Sequence, residues 1–297
     1  MENTTHRAGF VNLIGNPNVG KSTLMNRLVG ESLSIITAKA QTTRHRIKGI
    51  VNGDDFQIVY SDLPGILTPA YKMQEMMMRF VTESLKDADV ILYLVECGET
   101  HYNQEIIDKL NVMELPIILV INKIDKSTPE QIEATKLHWQ QLLPKADVVE
   151  ISARDDKNIP ELVEKIKANL PISPAYFPKD ELTDRPTRFF VSEIIREKLL
   201  LLYKKEIPYS VEVVIESFKE EEDLIRIGAM LYVERETQKA IIIGSKGSAI
   251  KRLGMEARTA IEEFLGKHIY LDISVKVLKD WRNSDLLMKR FGYYEGD

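Results

Sequence analysis

Short apolar segments rich in β-branched residues alternate with helical patterns from residue 10 to about residue 170. Their length and composition are typical of buried strands. We predict strands at residues 10–14, 47–51, 58–61, 90–96, 117–121 and 148–151, with helices between them such as 22–30, 73–87 and 128–143. This alternation predicts an α/β domain, in which a mostly parallel sheet is covered by helices on both faces.

A proline-rich segment ends this pattern. Pro171, Pro174, Pro178 and Pro186 disfavour both helix and sheet, so we place a linker there. Beyond it we predict a helix at 193–205, strands at 210–217 and 224–235, a glycine turn at 244–247, a helix to about 265 and a strand at 269–277. The chain therefore divides into an α/β domain over residues 1–175 and a smaller α+β domain over 176–297, which begins with the linker.

The composition is that of a folded protein in a reducing compartment. The 297 residues are 44% hydrophobic and 29% charged with a net charge of −5, which excludes an intrinsically disordered chain. Cys97 is the one cysteine and cannot form an internal disulfide. The N-terminal residues lack the apolar core of a signal peptide, and no apolar run approaches the roughly 18 residues that span a bilayer. We expect a soluble, cytoplasmic protein.

Residues 15–22 read Gly-Asn-Pro-Asn-Val-Gly-Lys-Ser, a Gly-x4-Gly-Lys-Ser spacing between a predicted strand and a predicted helix. Glycines let backbone N–H groups surround a phosphate chain, and the start of the helix adds partial positive charge. Lys21 adds a full charge, and the Ser22 hydroxyl can reach a magnesium ion. The predicted phosphate-binding residues are Gly15, Asn16, Pro17, Asn18, Val19, Gly20, Lys21, Ser22 and Thr23.

A second motif, Asn122-Lys123-Ile124-Asp125, follows a predicted strand and so lies at the carboxyl edge of the sheet, where open α/β folds bind ligands. Asp125 can accept hydrogen bonds from the ring N–H and the exocyclic amine of guanine. Lys123 can lie along the base, and Asn122 can tie the loop to the phosphate loop. The backbone of Ser152 and Ala153, after the last strand, can donate to the guanine oxygen. Adenine has the opposite donor pattern, so the motif predicts GTP rather than ATP.

Two further segments have the composition of nucleotide-sensing switches. In Asp62, Leu63, Pro64, Gly65 and Ile66, the aspartate can hold the metal through water and the Gly65 N–H can sense a terminal phosphate. Ile66 cannot orient water as the glutamine of signalling GTPases does, so slow intrinsic hydrolysis is expected. The other segment is polar and includes two threonines, one of which can close over the metal. It comprises Gln41, Thr42, Thr43, Arg44 and His45.

A Gly-x-x-Gly turn in the second domain joins an apolar segment to a helix. Such a turn clamps the backbone of a short single strand of RNA in KH domains. Residues 239–258 contain five basic residues and one acidic residue, although the chain as a whole is acidic. The predicted RNA-binding residues are Gly244, Ser245, Lys246, Gly247, Lys251 and Arg252.

These motifs resemble the Era family of the translation-factor-like GTPases over almost all of the chain. The Gln-Thr-Thr-Arg-His-Arg segment, the Pro-Gly-Ile switch and the helix-strand-strand-helix-turn-helix-strand order of a type II KH domain follow the family pattern. The chain departs from it at Leu63, usually threonine, and at Arg154, where the family varies. The resemblance implies Thr42, in preference to Thr43, as the switch metal ligand. In GTPases with a similar phosphate loop, the residue matching Asn18 helps to hold a potassium ion in place of an arginine finger; the alternative is that Asn18 only stabilises the loop.

By the same resemblance, the chain is a GTP-hydrolysing switch that uses GTP/GDP, Mg²⁺ and K⁺. Its implied partners are 16S ribosomal RNA near the 3′ end and the precursor of the 30S subunit, with a role in subunit assembly and rRNA processing. Bound GTP would order the switches and so change the exposure of the RNA groove. DNA is not an expected partner, and weak peripheral association with the inner face of the cell membrane stays open.

Two alternatives remain at this point. One is a GTPase directed to a membrane or a protein partner, whose C-terminal domain does not bind RNA. The other is a small-molecule kinase, against which the guanine-type motif ending at Asp125 argues.

Overall fold

The computed structural model describes residues 6–37, 39 and 41–294. The chain divides into two compact units. The first comprises Met1–Pro69 and Met77–Asp184, and the second comprises Ala70–Met76 and Arg185–Asp297.

The first unit is built on a six-stranded sheet. Its strands are β1 (Arg7–Gly15), β2 (Ile47–Asn52), β3 (Phe56–Asp62), β4 (Val90–Glu96), β5 (Ile117–Asn122) and β6 (Asp147–Glu150). Their order is β2-β3-β1-β4-β5-β6, and all neighbours are parallel except β2 and β3. Six of the seven residues of β4 are buried, as expected for a central strand covered on both faces.

Helices connect these strands. They are α1 (Lys21–Val29), α2 (Lys72–Ser84, of which residues 77–84 belong to this unit), α3 (Gln104–Val112), α4 (Pro129–Leu142) and α5 (Ile159–Asn169). Local sequence explains the start of α4, because Thr128 and Gln131 form a capping box and Pro129 occupies the first turn. Since the parallel strands end at one edge, the loops that follow β1, β3, β5 and β6 meet there. The α/β fold class is confirmed.

The proline-rich segment lies along the edge of this sheet. Ile50 of β2 donates its N–H to Leu182 O at 2.8 Å, and Thr183 Oγ1 donates to Lys48 O at 2.7 Å. The Gln57 side chain joins the same segment, because its Oε1 accepts from Tyr176 N at 2.7 Å. The sequence predicts residues 176–184 as the start of the second domain, whereas the first compact unit extends to Asp184. The segment supplies hydrogen bonds that an edge strand otherwise lacks.

The second unit combines a three-stranded sheet with helices. Its elements are α6 (Thr187–Leu202), β7 (Glu212–Glu220), β8 (Ile225–Val233), α7 (Glu236–Ile243), α8 (Ser248–Leu265), β9 (Ile269–Val277) and α9 (Asp285–Arg290). The sheet order is β7-β8-β9, antiparallel and then parallel. The element order from α6 to β9 is the predicted KH arrangement, which confirms the second fold class. The predicted first helix begins too late, because α6 starts directly after Pro186.

One face of this sheet is packed against helices. Val191, Ile195 and Leu199 recur every four residues on α6 and are fully buried. The same spacing on α8 buries Leu253, Ala257 and Ile261 in the same core. Among the described residues, no helix has the length and apolar character needed to span a membrane.

Candidate functional site

The phosphate-binding loop connects β1 to α1, and its two glycines have positive φ angles of 153° at Gly15 and 103° at Gly20. A Cβ on Gly15 would lie 2.2 Å from Leu94 O, and one on Gly20 would lie 2.3 Å from Asn122 Nδ2. Both contacts are too close for any side chain. The loop therefore needs glycine at both positions for its conformation and for its packing.

Lys21 is buried beneath the loop. Its Nζ donates to Gly15 O at 2.9 Å and to Asn16 O at 2.8 Å. Burial lowers the pKa of Lys21 to about 8, and the charges of Asp62 and Glu99 oppose that shift. A phosphate group would supply this ammonium with a direct anionic partner.

Three side-chain oxygens converge beside Lys21. Ser22 Oγ donates to Asp62 Oδ2 at 2.7 Å, Thr43 Oγ1 donates to the same oxygen at 3.1 Å, and the two hydroxyl oxygens are 3.0 Å apart. Asp62 Oδ1 is buried and has no partner with full hydrogen-bond geometry among the described residues, but the Ser34 hydroxyl is close enough to help lower the pKa of this carboxyl. Burial raises the pKa of Asp62, while the Ser22 hydroxyl and the Lys21 charge lower it. Hard oxygen donors of this kind fit Mg²⁺.

In this conformation Thr43 rather than Thr42 contacts the residues assigned to the metal, although Thr42 lines the same cleft. The Thr42 hydroxyl donates to Lys39 O at 2.6 Å and lies 2.9 Å from Thr37 Oγ1. Adjacent side chains diverge here, so Thr43 is the threonine that reaches Ser22 and Asp62. Of the other residues assigned to this switch, Gln41 lines the cleft, whereas Arg44 and His45 are buried.

The second switch follows β3 and packs on the phosphate loop. Ile66 N donates to Gly15 O at 3.1 Å, and a Cβ on Gly65 would lie 2.7 Å from Pro17 Cα. The Ile66 side chain is buried. Leu63 and Gly65 line a cleft of about 320 Å³ together with the phosphate loop, Thr23 and Thr43.

The guanine-type motif is fastened to the phosphate loop through Asn122. Its Nδ2 donates to Val19 O at 2.8 Å, and its Oδ1 accepts from Ala153 N at 3.0 Å. Lys123 donates to Asn18 O at 2.7 Å and pairs with Glu96 at 2.5 Å. Asn122 thus holds three loops together at the carboxyl edge of the sheet.

Asp125 receives contacts from the loop after β6. Ser152 Oγ donates to Asp125 Oδ1 at 2.7 Å, although the sequence interpretation used only the Ser152 backbone. Arg154 Nη2 lies 2.8 Å from Asp125 Oδ2. The structure therefore brings Asn122, Lys123, Asp125, Ser152 and Ala153 to one place, and it adds Arg154.

Sequence reasoning missed two supports of this site. Glu99 Oε1 accepts from Asn16 Nδ2 at 2.6 Å, and His101 O accepts from the same amide at 2.8 Å. Arg46, just before β2, pairs with Asp87 at 2.5 Å and also donates to Ser61 Oγ at 3.0 Å. No motif spacing connects these positions, so only the folded chain shows them.

The Gly-x-x-Gly turn of the second unit joins α7 to α8. The φ angles of Gly244, Lys246 and Gly247 are 72°, 49° and 78°. A Cβ on Gly244 would lie 2.6 Å from Ala249 Cβ, so the backbone is close-packed there. Ser245, Lys246, Lys251 and Arg252 are exposed at the start of α8, as an anion-binding surface requires. Arg252 is paired with Glu256 at 2.8 Å.

Comparison with known proteins finds relatives for both units of the chain. The family model described as 50S ribosome-binding GTPase matches residues 10–123, and the KH domain model matches residues 206–282. The GTPase Era of Geotalea uraniireducens (strain Rf4) is 45% identical over 296 residues, which cover 99% of this chain and all of that protein. The GTPase Era of Staphylococcus epidermidis is 41% identical over 98% of this chain and 99% of that protein.

Two solved structures are similar over nearly the full length. One is a crystal structure of Era in complex with MgGDPNP and nucleotides 1506–1542 of 16S ribosomal RNA, with a TM-score of 0.92 and 38% identity. The other is a variant of Aquifex aeolicus Era bound to GDP and AlF4⁻, with a TM-score of 0.90 and 37% identity. Each covers 97% of this chain and 99% of the matched chain.

Proposed function

Because the chain belongs to the Era family of GTPases, we propose that it binds GTP and GDP and hydrolyses GTP to GDP and phosphate. The observation that carries this proposal is the convergence of the phosphate loop, Asp62 and Asp125 at one edge of the sheet. The site thus holds a phosphate cradle, a cluster of hard oxygens and a carboxylate suited to guanine. The guanine-type motif argues against the kinase alternative.

Each group has a distinct role in the proposed site. The phosphate loop and Lys21 bind the phosphates, and Asn122, Lys123, Asp125, Ser152 and Ala153 hold the base. Ser22 and Thr43 would hold Mg²⁺ directly, with Asp62 acting through water. When bound, Mg²⁺ neutralises charge on the terminal phosphates. Lys21 provides positive charge there as well.

We also propose that the intrinsic rate of hydrolysis is low. Ile66 is buried hydrocarbon and has no group that orients water. Asn18 is the proposed ligand of a K⁺ ion that offsets this deficit by stabilising charge on the phosphates. Its place in the phosphate loop supports that role.

The second unit is proposed to bind single-stranded RNA near the 3′ end of 16S ribosomal RNA. The support is the exposed Gly-x-x-Gly turn with Lys246 and Lys251, together with the related Era structure that contains nucleotides 1506–1542 of that RNA. We propose that the protein acts in the cytoplasm on the 30S precursor, during subunit assembly and rRNA processing. The alternative, a partner-directed GTPase without RNA binding, has no comparable support in the described residues.

A crossed pair of variants tests the proposal. Lys246→Glu reverses a charge beside the turn, so affinity for an oligonucleotide of 16S residues 1506–1542 falls at least about tenfold in low salt, while GDP affinity is unchanged.

Asp125→Asn lowers GDP affinity by roughly a hundredfold, because an amide cannot accept both guanine hydrogen bonds, and it improves binding of xanthosine diphosphate.

RNA binding is measured without nucleotide by fluorescence anisotropy, and nucleotide binding by calorimetry. Lys109→Glu is the control for charge reversal, since Lys109 is exposed on α3 in the first unit. Unaltered RNA affinity in Lys246→Glu would reject the RNA assignment. Tighter binding of ADP than of GDP by the wild type would reject the GTPase assignment.

A further inference from the structure

Arg154 covers the carboxylate that we assign to guanine recognition. Its Nη2 lies 2.8 Å from Asp125 Oδ2, and the Asp125 side chain is only 4% exposed. The Oδ2 atom is buried, and no donor of the described residues has hydrogen-bond geometry toward it. A base that reads both carboxylate oxygens must therefore gain access to an oxygen that lies under the guanidinium.

The chemistry of the cover resembles that of the base. The N1–H and 2-amino edge of guanine is itself part of a guanidine unit, with two parallel N–H donors. An arginine guanidinium presents the same planar pair of donors to a carboxylate. In this structure the two donors of Arg154 hydrogen-bond Asp155, and only Nη2 lies against Asp125 Oδ2, as an ion pair. The guanidinium therefore occupies the position beside Oδ2 that the guanine edge would take.

Asp155 gives the displaced guanidinium a second carboxylate. Arg154 Nε lies 2.8 Å from Asp155 Oδ1, and Arg154 Nη2 donates to Asp155 Oδ2 at 3.2 Å. The Arg154 side chain is 63% exposed, so it has room to move. Asp155 itself is fixed to the loop, because its N–H donates to Ser152 Oγ at 3.1 Å. Arg154 can leave Asp125 and keep an ion pair.

We infer that the Arg154 guanidinium is a displaceable cover on Asp125 and that guanine must displace it in order to bind. Displacement of Arg154 therefore sets the rate at which guanine nucleotides associate. The inference rests on the proposed function, since it requires that Asp125 reads the base. It assigns Arg154 as a positioning residue whose effect lies in nucleotide association. It also gives Asp155 the role of receiving the guanidinium.

Stopped-flow fluorescence with N-methylanthraniloyl-GDP and Mg²⁺ on the full chain tests this inference. Arg154→Met removes the cover and should raise the association rate constant about two- to fivefold, the range expected for loss of an ion pair whose arginine is exposed. The dissociation rate constant should not change. Asp155→Asn should lower the association rate constant, because Arg154 then pairs with Asp125 alone. Raising the NaCl concentration should shrink the difference between wild type and Arg154→Met, because salt screens the ion pair.

Lys109→Met is the matched control, because Lys109 is an exposed base paired with Glu105 and its loss changes the net charge equally. Lys109→Met controls for the loss of one positive charge, which weakens the general electrostatic attraction between the protein and the nucleotide phosphates. Equal association rates in Arg154→Met and Lys109→Met would overturn the inference, as would faster dissociation in Arg154→Met alone. A wild type that does not bind the probe would overturn the proposed function itself. Normal wild-type binding with no effect of Arg154 would overturn only the inference.

Discussion

Asn18 has a left-handed backbone, with φ of 65°, in the middle of the phosphate loop. Its carbonyl oxygen accepts from Lys123 Nζ at 2.7 Å, so the guanine-type motif fixes this residue from the far side. Asparagine tolerates the left-handed region better than most residues do. Asn18 therefore serves the loop conformation, and the proposed K⁺ role must be separated from it by experiment.

Asn18→Ala should abolish activation of GTP hydrolysis by potassium. A cation that acts as an arginine finger should accelerate wild-type turnover at least about tenfold when KCl replaces NaCl. In the variant, the two rates should become equal, while GDP affinity in NaCl stays near the wild-type value. Asn111→Ala, a change at the end of α3, is the control. The same potassium response in Asn18→Ala and wild type would eliminate the assignment.

Among individual residues, those that are contiguous in a motif can be predicted from the sequence. The phosphate loop is one example, because its glycines and Lys21 are fixed by spacing alone. The choice between Thr42 and Thr43 is not fixed in this way, since it depends on which side chain of an irregular segment points to Asp62. The Arg154 contact with Asp125 and the Glu99 contact with Asn16 join separate loops, so no local pattern reports them.

Arg46 connects several elements of the first unit. It immediately precedes β2, and its guanidinium makes a two-point contact with Asp87, which follows α2, at 2.5 Å and 3.1 Å. It also donates to Asn12 of β1 at 3.3 Å and to Ser61 of β3 at 3.0 Å. The Arg46 side chain is 3% exposed. The buried Arg46 guanidinium thus links β1 and β3 to the segment that follows α2.

Arg46→Met should lower the free energy of unfolding by about 2 kcal/mol, because the buried Asn12 Oδ1 and Ser61 Oγ lose this donor, whereas Asp87 is half exposed and can be hydrated. Urea denaturation followed by circular dichroism measures the change. Arg79→Met is the control, since Arg79 on α2 forms an exposed pair with Glu83 whose loss should cost less than about 1 kcal/mol. Equal destabilisation by both variants would show that the contacts of Arg46 contribute no more to the free energy of unfolding than an exposed ion pair does.

Element types were more predictable than element ends. The six strands of the first sheet appear where apolar β-branched runs predict them, because burial on both faces leaves a continuous apolar pattern. The helix α6 begins six residues before its predicted start, because Pro186 occupies the N-cap position and the helix opens directly after it at Thr187. Propensity alone does not decide such ends.

Over the whole molecule, net charge is a poor guide to partners. The chain carries −5, yet Lys246, Lys251 and Arg252 are exposed together at the start of α8. Acidic residues elsewhere account for the sum, so the mean conceals a local basic surface. The linker shows that the sequence can locate a segment without revealing its contacts. Its prolines indicate a break in regular structure, but its hydrogen bonds to β2 are visible only in the folded chain.

The proposed switch requires that the nucleotide and RNA sites be coupled in free energy. If exchange of GDP for GDPNP changes the dissociation constant for the 16S oligonucleotide 1506–1542 by some factor, linkage requires RNA to change the ratio of nucleotide dissociation constants by the same factor. We expect that factor to be roughly fivefold or more, the lower end of measured allosteric couplings. Anisotropy of labelled RNA at saturating nucleotide gives one ratio, and calorimetry with and without RNA gives the other. Lys246→Glu should lose the effect of RNA on nucleotide affinity while it keeps nucleotide binding. Two ratios equal to one would mean that the units act independently and that GTP does not control RNA binding.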